Sequence, residues 1–218
     1  MQEKHQQQAN CEIDAPPGLP GLLARALDGA VGYGAYREAV GRMAEKGETS
    51  GAVPSEANVQ YTRLNHQRMN RWDKTLRLDP EINKAVSRVS QPLTWLVLTE
   101  SWCGDAAPVL PVMHAIARQI PSLDLRIASR DGNPELMEHF RTDGALSIPK
   151  LIAFDPESLE VGGCWGPRPA EAKELVRAYK AKHGKLTPEF RESLQMWYNR
   201  DKGRSIAREL AGILFADE

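Results

Sequence analysis

The sequence predicts an α/β fold with a central mixed sheet in the order βαβαββα, carrying an N-terminal helical extension and a C-terminal helix. Three observations carry this prediction. LTWLVLT (Leu93 to Thr99) is apolar without alternation, as a strand buried on both faces requires. Helical patterns then alternate with a second strand-like run, LDLRIAS (Leu123 to Ser129), as in a βαβ unit. Last, KLIAF and LEVGGCW (Lys150 to Phe154, Leu159 to Trp165) flank the turn DPES, which reads as a hairpin.

Residues 1–18, MQEKHQQQANCEIDAPPG, are Gln-rich and then broken by prolines, with too little apolar surface for stable order, so they read as a tail. Residues 19–90 read as an all-helical extension. Tyr33, Tyr36, Val40 and Met43 repeat at helical spacing until GETSGAVPS interrupts them. Ser55 can then cap a helix running through Val59, Thr62, Met69, Trp72 and Leu76. Asp79-Pro80-Glu81 places a cap, a first-turn proline and a first-turn acid before Ile82, Ala85, Val86 and Val89.

The α/β unit spans 91–183. Between its first two strands lies a helix with Val109, Val112, Met113 and Ile116 on one side. Asn133-Pro134-Glu135 opens a short helix with Leu136, Met137 and Phe140, and Pro169 to Lys182 closes the unit. In 184–218, Thr187-Pro188-Glu189 opens a helix with Phe190, Leu194, Trp197 and Tyr198. Ile206, Leu210, Ile213 and Leu214 extend that helix or form another after Gly203.

Composition narrows the function classes. The 218 residues are 41% apolar and 26% charged, which suits a folded globular chain. With 28 basic against 29 acidic residues there is no field to gather nucleic acid or an anionic membrane, and neither partner is expected. The start has no apolar core of a secretory signal, so a cytoplasmic location is expected. The longest apolar run is about six residues, against roughly 20 for a membrane span. Cys11, Cys103 and Cys164 are three cysteines at wide spacing, which suggests neither a disulfide framework nor a zinc site, and leaves at least one thiol free. No acidic or histidine cluster has metal-ligand spacing, so no metal is expected.

The chemistry concentrates in SWCGDAAP (Ser101 to Pro108), where Cys103 sits at a strand-to-helix junction. Around it stand Pro111, eight residues on, Arg130-Asp131-Gly132-Asn133-Pro134 after the second strand, Ile148-Pro149 before KLIAF, and Trp165-Gly166 before the closing helix. Those landmarks, in that order over 92–183, resemble the thioredoxin-like superfamily. With CGDA, QRMNRWDKT and WGPRP, the chain more narrowly resembles bacterial thioredoxin family proteins with a single cysteine in a WCGDA motif. The resemblance implies a cis proline at Pro149 facing Cys103. It also implies a substrate groove lined by Trp102, Gly104, Arg130, Ile148, Pro149, Trp165 and Gly166.

Three departures bear on activity. Ala106 replaces the resolving cysteine, Asp105 replaces the motif proline, and Val97 stands where thioredoxins carry a buried aspartate. Oxidation within a C-x-x-C pair is therefore excluded. A helix start favours a thiolate and can bring a cysteine pKa to about 3.5–7.5, while Asp105 in the same turn opposes it unless it faces solvent or a cation. By resemblance, Arg130 is the cation expected near the groove. On general acid/base grounds Asp105 is a candidate proton shuttle, although a carboxylate in a helix's first turn is first of all a dipole complement. A lone thiolate needs a second thiol to clear its mixed disulfide, and glutathione or another low-molecular-weight thiol is the simplest supplier. Cys164 is the internal candidate, although strand alternation sends it to the face opposite Trp165. His114 reads as an exposed helix residue, and Arg168 as a surface salt-bridge partner or a contact for a substrate carboxylate.

Two functions fit. One is monothiol exchange in which catalytic Cys103 and Asp105 act on a disulfide-bearing protein or small-molecule thiol. The other is a redox-inactive binding module whose helical extensions dock a partner or a second copy of the chain.

Overall fold

The computed structural model describes residues 18–214. The expected tail apart from Gly18, and Cys11 with it, lies outside the described residues, as do 215–218. A five-stranded sheet runs β1-β3-β2-β4-β5, formed by β1 (Val31–Gly32), β2 (Leu93–Thr99), β3 (Leu123–Ser129), β4 (Lys150–Phe154) and β5 (Val161–Trp165). Central β2 pairs parallel with β3 and antiparallel with β4, and β5 pairs antiparallel with β4. This is the predicted α/β class with its mixed sheet. The position of β2 accounts for its composition: from Thr94 on every residue is buried, so LTWLVLT has no solvent face on which to alternate.

Ahead of β2 lie α1 (Leu19–Asp28), α2 (Tyr33–Lys46), α3 (Glu56–Thr75) and α4 (Pro80–Val86). Within and after the sheet come α5 (Ala106–Ala117), α6 (Pro134–Glu138), α7 (Ala170–His183), α8 (Pro188–Asp201) and α9 (Arg204–Leu214). The expected starts are capped. Ser55 accepts from Asn58 N at 3.1 Å, Asp79 from Glu81 N at 2.9 Å and Thr187 from Phe190 N at 3.3 Å. Gly203, in the left-handed region at φ 76°, divides α8 from α9, and a Cβ there would press on Val112. The C-terminal stretch is therefore two helices.

One expectation fails in the N-terminal stretch, which is not all helix. Val31 and Gly32 add β1 to the edge of the sheet, paired with Ile127 and Arg126 of β3. Two residues carry no period to detect, and the partner strand selects them. The site is set by α5, which is buried along most of its length and wedged among β3, α3 and α9. A helix apolar on all sides belongs in an interior. Its start, and so the turn from β2, lies beneath elements contributed by both ends of the chain.

Candidate functional site

β2 ends in the turn that carries Cys103, whose N–H closes on Glu100 O at 3.0 Å. The Cys103 Sγ donates to Ile148 O at 3.2 Å, and Ile148–Pro149 is cis. Gly166, at φ 125°, lies so close to this loop that a Cβ would overlap the Pro149 carbonyl, and Gly166–Pro167 is also cis. Trp165 beside it is buried, its Nε1 donating to Glu209 Oε2 of α9 at 2.7 Å. The structure thus brings Cys103, Gly104, Ile148, Pro149, Trp165 and Gly166 together.

It does not leave the sulfur open. Cys103 is 6% exposed, and burial first, then the Asp105 charge, push its thiol up to about 12. The backbone N–H groups of Ala106 and Asp105, and the Arg168 cation, pull the other way without prevailing. The thiolate that a helix start alone would favour is absent at neutral pH because desolvation penalises the charged form more. Asp105 does not face solvent. Its Oδ2 meets Arg168 Nη2 at 2.5 Å and its Oδ1 accepts from Tyr198 Oη at 3.1 Å. Burial, with Asp105 next, drives the Tyr198 phenol well above its usual range, so it remains a donor.

The cation at Asp105 is therefore Arg168, not Arg130, and the pair is largely buried rather than a surface bridge. Arg130 instead pairs with Asp131 at 2.7 Å and lies over the Trp102 ring at 5.0 Å. His114 is half-buried and stacks on Tyr33 with 4.2 Å between ring centroids, rather than standing exposed. Cys103 is the free cysteine among the described residues. Cys164 lies buried on β5 opposite Ile152 and is disulfide-bonded, against the reading of the wide spacing, so it does not serve as a resolving thiol.

Several residues of the site escaped sequence reasoning. From α3, Asn65 Nδ2 donates to Ser101 O at 3.0 Å, Thr62 Oγ1 meets Ser101 Oγ at 2.8 Å, and Arg68 lies beside Gly104. From the loop 47–55, Ser50 N donates to Ser101 Oγ at 3.0 Å, while Ser50 Oγ donates to Glu100 Oε2. Glu100, buried, also accepts from Ser129 Oγ at 2.7 Å and Asp131 N at 3.0 Å. Behind the cis loop, Lys150 is buried with Nζ on Thr142 Oγ1 at 2.5 Å, and burial, with Lys173 adding, pushes its amine down to about 8. From α8, Gln195 Nε2 donates to Gly104 O at 3.0 Å. The available signals were polar Asn65 on an apolar helical stripe, Glu100 directly after the mostly apolar β2, and Lys150 opening the otherwise apolar β4.

Among the described residues no group of three His, Cys, Asp or Glu side chains could hold a metal, and no helix is long and apolar enough to cross a membrane. No curated protein matches the chain. Two solved structures resemble it at identities that speak to the fold alone. One is an HIV epitope-scaffold, 15% identical at a TM-score of 0.59, with 89% of this chain and 98% of that one covered. The other is a protein of unknown function from Pseudomonas aeruginosa, 19% identical at 0.57, with 88% and 97% covered. Residues 51–181, more than half of the chain, match the family described as Thioredoxin, and the chain belongs to that family.

Proposed function

We propose that the chain is a cytoplasmic protein of the bacterial single-cysteine group marked by WCGDA, working by thiol-disulfide exchange through Cys103. What carries this reading is the seat of that sulfur, at the start of α5, against Ile148 O and the N–H groups of Asp105 and Ala106, with no second thiol in the turn. Cys103 as thiolate attacks one sulfur of a disulfide in a protein or small molecule. A bond to Cys103 forms, the substrate S–S bond breaks, and the leaving thiolate takes up the proton that Cys103 released. Glutathione or another low-molecular-weight thiol then attacks the retained sulfur and leaves with it as a new disulfide, restoring Cys103. The disulfide passes from the substrate to the external thiol, and no internal second thiol takes part. Turnover belongs to an opened conformation, because the closed one holds the sulfur buried and protonated.

The test is turnover of a glutathionylated substrate in the presence of glutathione. Wild type is expected to release the substrate thiol and form glutathione disulfide, and Cys103→Ser to do neither. Equal activity in the two proteins ends this reading. One observation favours a second one: a thiol pushed up to about 12 suits a redox-inactive binding module that associates through its helical extensions. Its signature is no exchange by wild type, together with self-association in sedimentation that Cys103→Ala retains.

A further inference from the structure

We infer that α8 is a lid over Cys103, closed in this structure, whose opening sets how fast the sulfur meets any reagent. The inference rests on the thiol reading above and concerns regulation of the same site. Two α8 side chains reach the residues that directly follow the cysteine: Gln195 holds the Gly104 carbonyl and Tyr198 holds the Asp105 carboxylate. Gln195 and Arg68 of α3 both lie beside Gly104. Tyr198 is fully buried and stays protonated, so its hydroxyl is a steady donor to Asp105.

The hold of α8 is thin. Over its 14 residues only Leu194 and Tyr198 are buried, whereas α9, with 11, buries Ile206, Ala207 and Leu210 and packs on α4, α5 and β5. Phe190 and Trp197 add core contacts but are only partly buried, and the remaining α8 contacts are peripheral. Phe190 stacks on Tyr179 of α7 with centroids 4.0 Å apart, Trp197 Nε1 donates to Glu171 Oε1 at 3.1 Å, and Arg191 sits over the Tyr61 ring at 5.9 Å. Elements with few buried apolar contacts open locally at lower cost than the whole domain unfolds.

The two ends of α8 differ in freedom. Gly203 follows it packed against Val112, while Gly184 precedes it, left-handed at φ 74° with nothing close to its Cβ position. The C-terminal end is anchored, and the N-terminal connection is where a swing is absorbed. The match to the Thioredoxin family ends at residue 181, so the lid lies beyond the matched region.

The experiment is alkylation of Cys103 by iodoacetamide in the full chain, followed by mass, with global stability measured in urea on the same proteins. Gln195→Ala with Tyr198→Phe is expected to speed alkylation about tenfold or more, since hydrogen bonds to charged groups are among the strong ones. The urea midpoint should move little. An unchanged rate, or a rise no larger than the rise in the globally unfolded fraction, overturns the lid. Should the double variant not fold, Gln195→Ala alone carries the test, with an expected acceleration of about threefold. The two readings fail separately. Fast alkylation in the opened variant without disulfide exchange sinks the thiol reading and leaves the lid. Wild-type exchange with alkylation indifferent to both substitutions sinks the lid alone.

Discussion

On one side of the Cys103 turn, α3, the loop 47–55 and the end of β3 hold Glu100 and Ser101 through a network of Ser50, Thr62, Asn65, Ser129 and the Asp131 N–H. On the other side, α8 touches the turn with Gln195 and Tyr198. The first grip centres on Glu100, Ser101, Thr62 and Asn65, all buried, with Ser50 and Asp131 half-buried and Ser129 at the surface, so losing a central member strands its partners. The second joins a carbonyl and an already ion-paired carboxylate to a helix with little else buried. The difference separates foundation from cover: the network fixes where the sulfur is, and α8 decides whether anything reaches it.

The largest effect should come from breaking the foundation. Glu100→Ala leaves the Ser50 and Ser129 hydroxyls and the Asp131 N–H without their acceptor. Hydrogen bonds to a charged acceptor are worth about 1.5–3 kcal/mol each, and because these three donors are only partly shielded, water replaces part of that, so the expected loss is about 3 kcal/mol. For a chain of this size that lowers Tm by roughly 10 °C. Chemical denaturation checks the loss, and a cost as small as that of Gln195→Ala would erase the distinction between the two grips.

Lys150 sharpens the comparison from behind the cis loop, because it is as buried as Glu100 yet has one acceptor, Thr142. Its amine is held at about 8 against 10.5 for a free lysine. Below pH 8 both folded and unfolded states are protonated, and the burial penalty is felt in full. Between 8 and 10.5 the unfolded chain holds more protons, so stability rises with pH across that window. The rise attributable to this group is roughly 3 kcal/mol. Lys150→Met should therefore be more stable than wild type near pH 7 by about that amount, with the gap narrowing by about pH 10. A gap constant across the window would mean that Lys150 is solvated or better paired than its single hydrogen bond implies.

What the sequence made legible follows the range of the forces involved. The strands Leu93–Thr99, Leu123–Ser129 and Lys150–Phe154 and the caps at Ser55, Asp79 and Thr187 were readable because apolar runs and turn chemistry are local. Cys103 and the Ile148-Pro149 pair were readable through motif order. The exposure of the sulfur was not, since it depends on Gln195 and Tyr198, 91 and 93 residues away from the groups they hold. Tyr198 was placed on an apolar helical stripe, which its burial fits, but no spacing rule says where its hydroxyl goes. Arg168 between two prolines looked like a surface cation because its partner is distant in the chain. Asn65 and Lys150 were the missed clues, polar groups set where the pattern asked for apolar ones, and such conflicts between levels mark sites.

The smallest effect separates charge from cover. Asp105→Asn keeps an acceptor for Tyr198 and so keeps the lid, but removes the negative charge that is the second cause, after burial, of the raised Cys103 titration. With that charge gone, the two backbone N–H groups that follow Gly104 and the freed Arg168 cation act on the sulfur unopposed. The thiol should titrate below about 12 while staying above an ordinary cysteine, because burial is untouched. Alkylation at mildly alkaline pH should rise several-fold, to about tenfold at most, for a shift of up to about one pKa unit. The pH profile of the rate separates the causes: a charge effect moves the midpoint of the titration, whereas an opened lid raises the rate at saturating pH as well. If the midpoint stays put, Arg168 already neutralises Asp105 as far as the sulfur is concerned, and burial under α8 alone keeps Cys103 silent.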